Sequence, residues 1–236
     1  MALALLLLAA SPAQAFQSID QSDYSPKETR TLMYAYAKCV VDREPRRASE
    51  SLLANIDNAT FIKKYDRLII GQCLVRETHA AARMIFKGDL YRFALADALV
   101  KRELAAQPVP DISAVPRLAH REPGPEPGPF DAKGKKLSAR DYQEALRDYR
   151  QSVTFSFLSK YGECVVRTAP AESKALLVTV PDSVEETSRF DALQPTLGTC
   201  MPEGHTVRFG RVALRGSLAI NYYRLAHTAR AMGTAR

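Results

Sequence analysis

A ten-residue phrase occurs twice in this chain. It reads Leu32-Met33-Tyr34-Ala35-Tyr36-Ala37-Lys38-Cys39-Val40-Val41 and again Phe157-Leu158-Ser159-Lys160-Tyr161-Gly162-Glu163-Cys164-Val165-Val166. With the cysteines aligned, Leu32 meets Phe157, Met33 meets Leu158, Tyr36 meets Tyr161 and Val40 meets Val165. Those positions, with the cysteine, fall at i, i+1, i+4, i+7 and i+8, the apolar stripe of an amphipathic helix. A chain written this way must bury one cysteine-bearing helix face twice.

The correspondence continues in order. A proline follows each phrase (Pro45, Pro170), then a leucine pair (Leu52-Leu53, Leu176-Leu177), then a second cysteine two residues after a glycine (Gly71-Gln72-Cys73, Gly198-Thr199-Cys200). Last come Phe86-Lys87-Gly88-Asp89-Leu90 and Leu214-Arg215-Gly216-Ser217-Leu218. A shared order at nearly shared spacing predicts an internal repeat, with a period far longer than a solenoid's. The expected organisation is a first helical unit over 16–106, a Pro/Gly-rich linker over 107–137 and a second helical unit over 138–236. Gly88 and Gly216, inside helical stretches where glycine costs about 1 kcal/mol relative to alanine, are expected to be packing positions. The basic residue before each, Lys87 or Arg215, is expected to cap helix carbonyls or pair with an acid of its own unit.

Residues 1–15 read as a signal peptide: a leucine/alanine run, a break at Ser11-Pro12, and Ala13-Gln14-Ala15 as a small-x-small site cut before Phe16. The run falls short of the roughly 20 residues a membrane span needs. The mature chain is therefore expected in the periplasm or secreted. Four cysteines in an oxidising compartment imply two disulfides, and three pairings exist. The repeat selects Cys39–Cys73 and Cys164–Cys200. Each bond closes a loop of about 35 residues, worth roughly 3–4 kcal/mol in the chain-entropy picture.

No stretch alternates with period two, so the fold class is all-α, about four helices per unit. The first unit is read as helices from Pro26 to near Glu44, Arg46 to Ile56, Ala59 to Ile70 (ended by Gly71) and Thr78 to Leu104. In the second they run from Ala139 to Val166, Ala171 to Thr179, from Pro181 with an interruption at Pro195, and Arg208 to Ala231. Between the units, Glu122-Pro123-Gly124-Pro125-Glu126-Pro127-Gly128-Pro129 excludes helix and central strand and is expected to be an extended, exposed tether.

Chemistry-bearing patterns are sparse. His79 follows Cys73 and His205 follows Cys200. A thiolate–imidazole set is the donor type zinc takes, but a closed site needs four ligands, the fourth from Glu77, Glu203 or water. A Cys–His nucleophile is the other reading. Both require free thiols where disulfides are expected, so no metal, cofactor or catalytic residue is assigned. Nucleotide-binding loops and the Gly-x-Ser-x-Gly elbow are absent. The net charge of +7 is spread over both halves, whereas a dedicated nucleic-acid binder concentrates it. No specific nucleic-acid partner is expected, and weak attraction to anionic envelope components remains.

The Cys-Val-Val … Leu-Leu … Gly-x-Cys … Leu-Arg-Gly-x-Leu pattern resembles a group of uncharacterised exported helical proteins from sphingomonad-type alphaproteobacteria. The first copy departs from it, with Phe-Lys-Gly for Leu-Arg-Gly. The resemblance implies compartment and repeat. The leading expectation is a non-enzymatic exported binding or scaffolding protein, partnered by another exported protein or by anionic envelope components. The alternatives are an envelope-polymer hydrolase with its site between the units, and an electrostatically envelope-associated protein.

Overall fold

The computed structural model describes residues 26–78, 89–203 and 210–234. The candidate leader, His79, Lys87, Gly88 and His205 lie outside them. The described residues form nine α-helices and no strand: α1 (Pro26–Arg43), α2 (Pro45–Leu53), α3 (Asn58–Lys64), α4 (Gly71–Thr78), α5 (Leu90–Leu99), α6 (Ala139–Thr168), α7 (Pro170–Leu177), α8 (Val184–Thr199) and α9 (Arg211–Thr234). A π-turn, Val100–Leu104, prolongs α5, and a 3₁₀ turn, Asp66–Leu68, follows α3. The chain is all-α, with one disulfide in each helical unit: Cys39–Cys73 and Cys164–Cys200, at Cα separations of 5.7 and 5.8 Å.

Local chemistry sets the helix starts. Asp57 accepts from the Thr60 N–H at 2.9 Å, Ser138 from the Asp141 N–H and Ser183 from the Glu186 N–H, each satisfying an orphan donor of a first turn. Pro45 and Pro170 occupy the first positions of α2 and α7, where a missing N–H costs nothing.

The centre of the molecule is α5 against α9. Every residue from Tyr91 to Leu99, and from Ala213 to Ala219, is buried, as befits helices enclosed on all sides. The flanks are α1 on α5 and α6 on α9, so the two cysteine-bearing helices sit on opposite sides of the central pair. Glycines set two close approaches. A Cβ on Gly216 would strike the ring and Cβ of Phe93 on α5, and one on Gly162 of α6 would strike Ser217 and Asn221 of α9.

A tyrosine hydroxyl is bonded beside each disulfide. The Tyr36 hydroxyl, three residues before Cys39, accepts from the Ile70 N–H three residues before Cys73, at 3.0 Å. The Tyr161 hydroxyl, three before Cys164, donates to the Leu197 carbonyl three before Cys200, at 2.8 Å.

Three expectations are corrected. Gly71 opens α4 instead of ending the preceding helix, which stops at Lys64 and passes through the 3₁₀ turn. Pro195 lies inside an uninterrupted α8, because packing of α8 on α7 outweighs local propensity. The linker is not an exposed tether throughout. Ile112 and Val115 are buried at 6% and 5% exposure, and arginines from both long C-terminal helices hold its carbonyls: Arg167 on Ile112, Val115 and Pro116, Arg224 on Ala119. Residues 108–122 form a strap.

Candidate functional site

Arg215, on α9, is 1% exposed and lies where α5, α7, α8 and α9 converge. Its Nε donates to Asp97 Oδ1 of α5 at 2.7 Å, and its Nη1 to Glu186 Oε1 of α8 at 2.8 Å. The remaining donors cap the end of α7, on the carbonyls of Leu176 (3.1 Å), Leu177 (2.8 Å) and Thr179 (2.9 Å) and the Thr179 hydroxyl (3.0 Å). Only a planar guanidinium offers enough donors in a fixed fork to serve two carboxylates and a helix terminus together.

The charge chain extends both ways. Asp97 Oδ2 takes Lys101 Nζ at 2.8 Å. Glu186 Oε2 accepts from the Asp182 N–H at 2.8 Å, and Asp182 holds Arg30 of α1 in a bidentate pair at 2.9 Å. Asp182 sits in the left-handed region, φ +62°. The Tyr34 ring lies 5.9 Å from the Arg215 guanidinium and 5.8 Å from the Lys101 ammonium. Three cations and three carboxylates thus form one chain across both units, with Glu186 and Asp182 joined through the Asp182 N–H. Burial lowers Arg215, but Asp97, Tyr34 and Glu186 more than offset it and hold it above its ordinary value. Burial pulls Lys101 down, with Asp97 opposing, and pushes the Tyr34 phenol far up, Asp97 adding to the rise. Beside the cluster, Arg30, Tyr34, Pro181, Asp182, Glu186 and Arg211 border a cavity of about 10 Å³, room for one water at most. Arg215 also borders it, with Nε, Nη1 and Nη2 all bonded to protein acceptors.

A second cluster fastens the strap to α6. His120 Nδ1 meets Ser159 Oγ at 2.7 Å, and His120 Nε2 meets Glu163 Oε2 at 2.5 Å. Glu163 Oε1 also accepts from the Leu118 N–H at 3.0 Å and Arg167 Nε at 2.7 Å. Burial pushes the Glu163 carboxyl up, but these donors outweigh it and hold it below its ordinary 4.5. Farther along, Arg121 pairs with buried Asp89, which also takes Arg92, and Glu122 pairs with Lys160 at 2.7 Å. Ser159–His120–Glu163 has the connectivity of a nucleophile, base and orienting acid, yet the His120 and Glu163 side chains are only 9% and 8% exposed.

The cysteines are consumed as disulfides and supply neither thiolate ligands nor a nucleophile. Among the described residues, no group of three or more His, Cys, Asp and Glu side chains is arranged to hold a metal. A shallow groove of about 230 Å³ runs between α7 and α8, lined by Ala171, Ala175 and Ala192 with Glu172 and Arg189. At the α7–α8 connection Val178, Val180 and Val184 stand exposed.

Sequence reasoning singled out Arg215 through its place before the repeated glycine, and both roles expected of it are present, with a third, the tie to Asp97. It did not find Asp97, His120 or Ser159. Asp97 falls where the second copy has Leu225, so a polar residue breaking the correspondence was the available signal. No protein-family model matches the chain, no curated protein resembles it, and no solved structure matches its fold.

Proposed function

We propose that this chain is an exported, non-enzymatic binding or scaffolding protein made of two copies of one disulfide-stapled helical unit. The observation that carries this reading is the closure of its polar clusters. The buried charges of the Arg215 network and of the strap are spent on each other and on backbone groups, and among the described residues they converge on no cavity that a substrate would fill. Export is supported by the leader-like first fifteen residues and by two disulfides, which persist in oxidising compartments. None of the described helices is long and apolar enough to cross a membrane. The copy relationship is supported by the matched Tyr36 and Tyr161 bonds beside the two disulfides.

Photo-crosslinking in the producing cell tests the binding role. A photoreactive residue at Val180 or Val184, both exposed, is expected to give a discrete adduct with one exported protein. A probe at exposed Glu50, away from that connection, is expected to give none. Adducts of no defined mass from every position would reject the reading.

Hydrolysis of an envelope polymer is the second reading, favoured by one observation, the Ser159–His120–Glu163 connectivity. An activity-directed fluorophosphonate distinguishes the two. The scaffold reading predicts no labelling of Ser159, and stoichiometric labelling that disappears in Ser159→Ala would establish the hydrolase.

A further inference from the structure

The strap ends at Glu122, and beyond it the linker builds a small, separate object. Phe130 and Lys136 form an isolated antiparallel bridge, closed by the Leu137 N–H on the Pro129 carbonyl at 2.9 Å and the Asp131 N–H on the Lys135 carbonyl at 2.9 Å. The turn is held from within. Asp131 Oδ1 accepts from the Lys133 and Lys135 N–H groups at 2.8 and 2.9 Å, and Gly134 supplies the left-handed residue at φ +77°. The one acid of the turn therefore faces its own backbone.

Its exterior is of one kind. Lys133, Lys135 and Lys136 are all exposed, and among the described residues none of them has an acidic partner. Phe130 is 58% exposed, the only aromatic among the exposed large hydrophobic side chains of the described residues. Arg140 follows, exposed, in the first turn of α6. Residues 130–141 carry four cations, Lys133, Lys135, Lys136 and Arg140, against two acids, Asp131 and Asp141. Proline-rich chain stiffens the approach, with Pro123, Pro125, Pro127 and Pro129 ahead of it. On the helices several exposed basic side chains are paired with acids, as in Lys38–Asp42 and Arg189–Glu185.

We propose that this hairpin is a docking element for an anionic phospholipid surface, with Phe130 entering the interfacial layer and Lys133, Lys135 and Lys136 meeting lipid phosphates. The charge complementarity is direct, since juxtamembrane lysines are drawn to anionic headgroups, and an aromatic ring prefers the boundary between headgroup and acyl chain. A turn fixed by its own hydrogen bonds loses little entropy on docking. The exposed ring selects a bilayer over a soluble polyanion, because only the bilayer offers an apolar layer under the charge. The inference is independent of the scaffolding reading.

The test is co-sedimentation of the full chain with phosphatidylglycerol-containing vesicles and with pure phosphatidylcholine vesicles, using Phe130→Ala and the triple variant K133A/K135A/K136A. Both variants alter exposed positions, and an unchanged circular dichroism spectrum verifies their fold. The chain is expected to bind the anionic vesicles only and to release them near 1 M salt, where the screening length is about 3 Å. The triple variant is expected to bind on the order of a hundredfold more weakly, and Phe130→Ala about tenfold more weakly. Absent binding, equal binding to neutral vesicles, or binding untouched by the lysine substitutions would overturn the proposal. So would binding that needs the lysines but not Phe130, or retention on a soluble anionic polysaccharide without vesicle binding.

Discussion

Arg215 shows how much one side chain holds. Removing it leaves Glu186 without its counter-charge and Asp97 with Lys101 alone, both carboxylates nearly inaccessible, and uncompensated buried charge costs about 3–5 kcal/mol. Arg215→Met is therefore expected to lower the unfolding free energy by that amount in chemical denaturation. Arg215→Lys is expected to recover little, since a point charge with three donors cannot reach two carboxylates and the end of α7 together. The sequence marked Arg215 because it recurs as a basic residue before a glycine, but its partners come from distant segments, Asp97 from the other unit. Glu163 carries a pH signature. Its folded pKa lies below its ordinary 4.5, so its stabilisation is complete above that value and is lost as pH falls through the folded pKa. Glu163→Gln is expected to flatten the acid limb of the stability–pH curve below about pH 4.5, as read by thermal melts across the acid range.

At the scale of elements, glycine separates contact from propensity. A Cβ at Gly216 would run into Phe93, and one at Gly162 would lie 2.8 Å from Asn221 Nδ2 and 2.9 Å from the Ser217 carbonyl. Gly216→Ala and Gly162→Ala are expected to destabilise by about 1–3 kcal/mol through overpacking. At Gly198, inside α8, a Cβ meets nothing within 4 Å, so Gly198→Ala is expected to stabilise by about 0.5–1 kcal/mol. Urea titrations of the three variants test the opposite signs. The helices that carry the repeated phrase were legible because their apolar stripe is local information. The boundary at Gly71 was not, since a glycine signals a helix end and its role as a start depends on Cys73 being drawn to Cys39. The strap was hidden for a different reason. Its bonds run from Arg167 and Arg224 to backbone carbonyls at sequence separations of 51 to 105 residues, and a carbonyl leaves no mark in the sequence.

For the whole molecule, the disulfides tie each unit internally, while Arg215–Asp97, the α5–α9 packing and the strap join the units. Replacing Cys39 and Cys73, or Cys164 and Cys200, by alanine is expected to cost roughly 3–4 kcal/mol, whichever pair is removed, and to be felt in both units because α5 of one packs against α9 of the other. The central claim is that these internal ties make one cooperative body of two disulfide-stapled units. Hydrogen exchange across a denaturant series, followed by mass spectrometry on peptides from α1 and α5 and from α6 and α9, tests it most directly. The account predicts that both sets lose protection at the same denaturant concentration and with the same slope. Separate transitions for the two sets would contradict it, and would reduce the buried charge network to a contact between independently folding units.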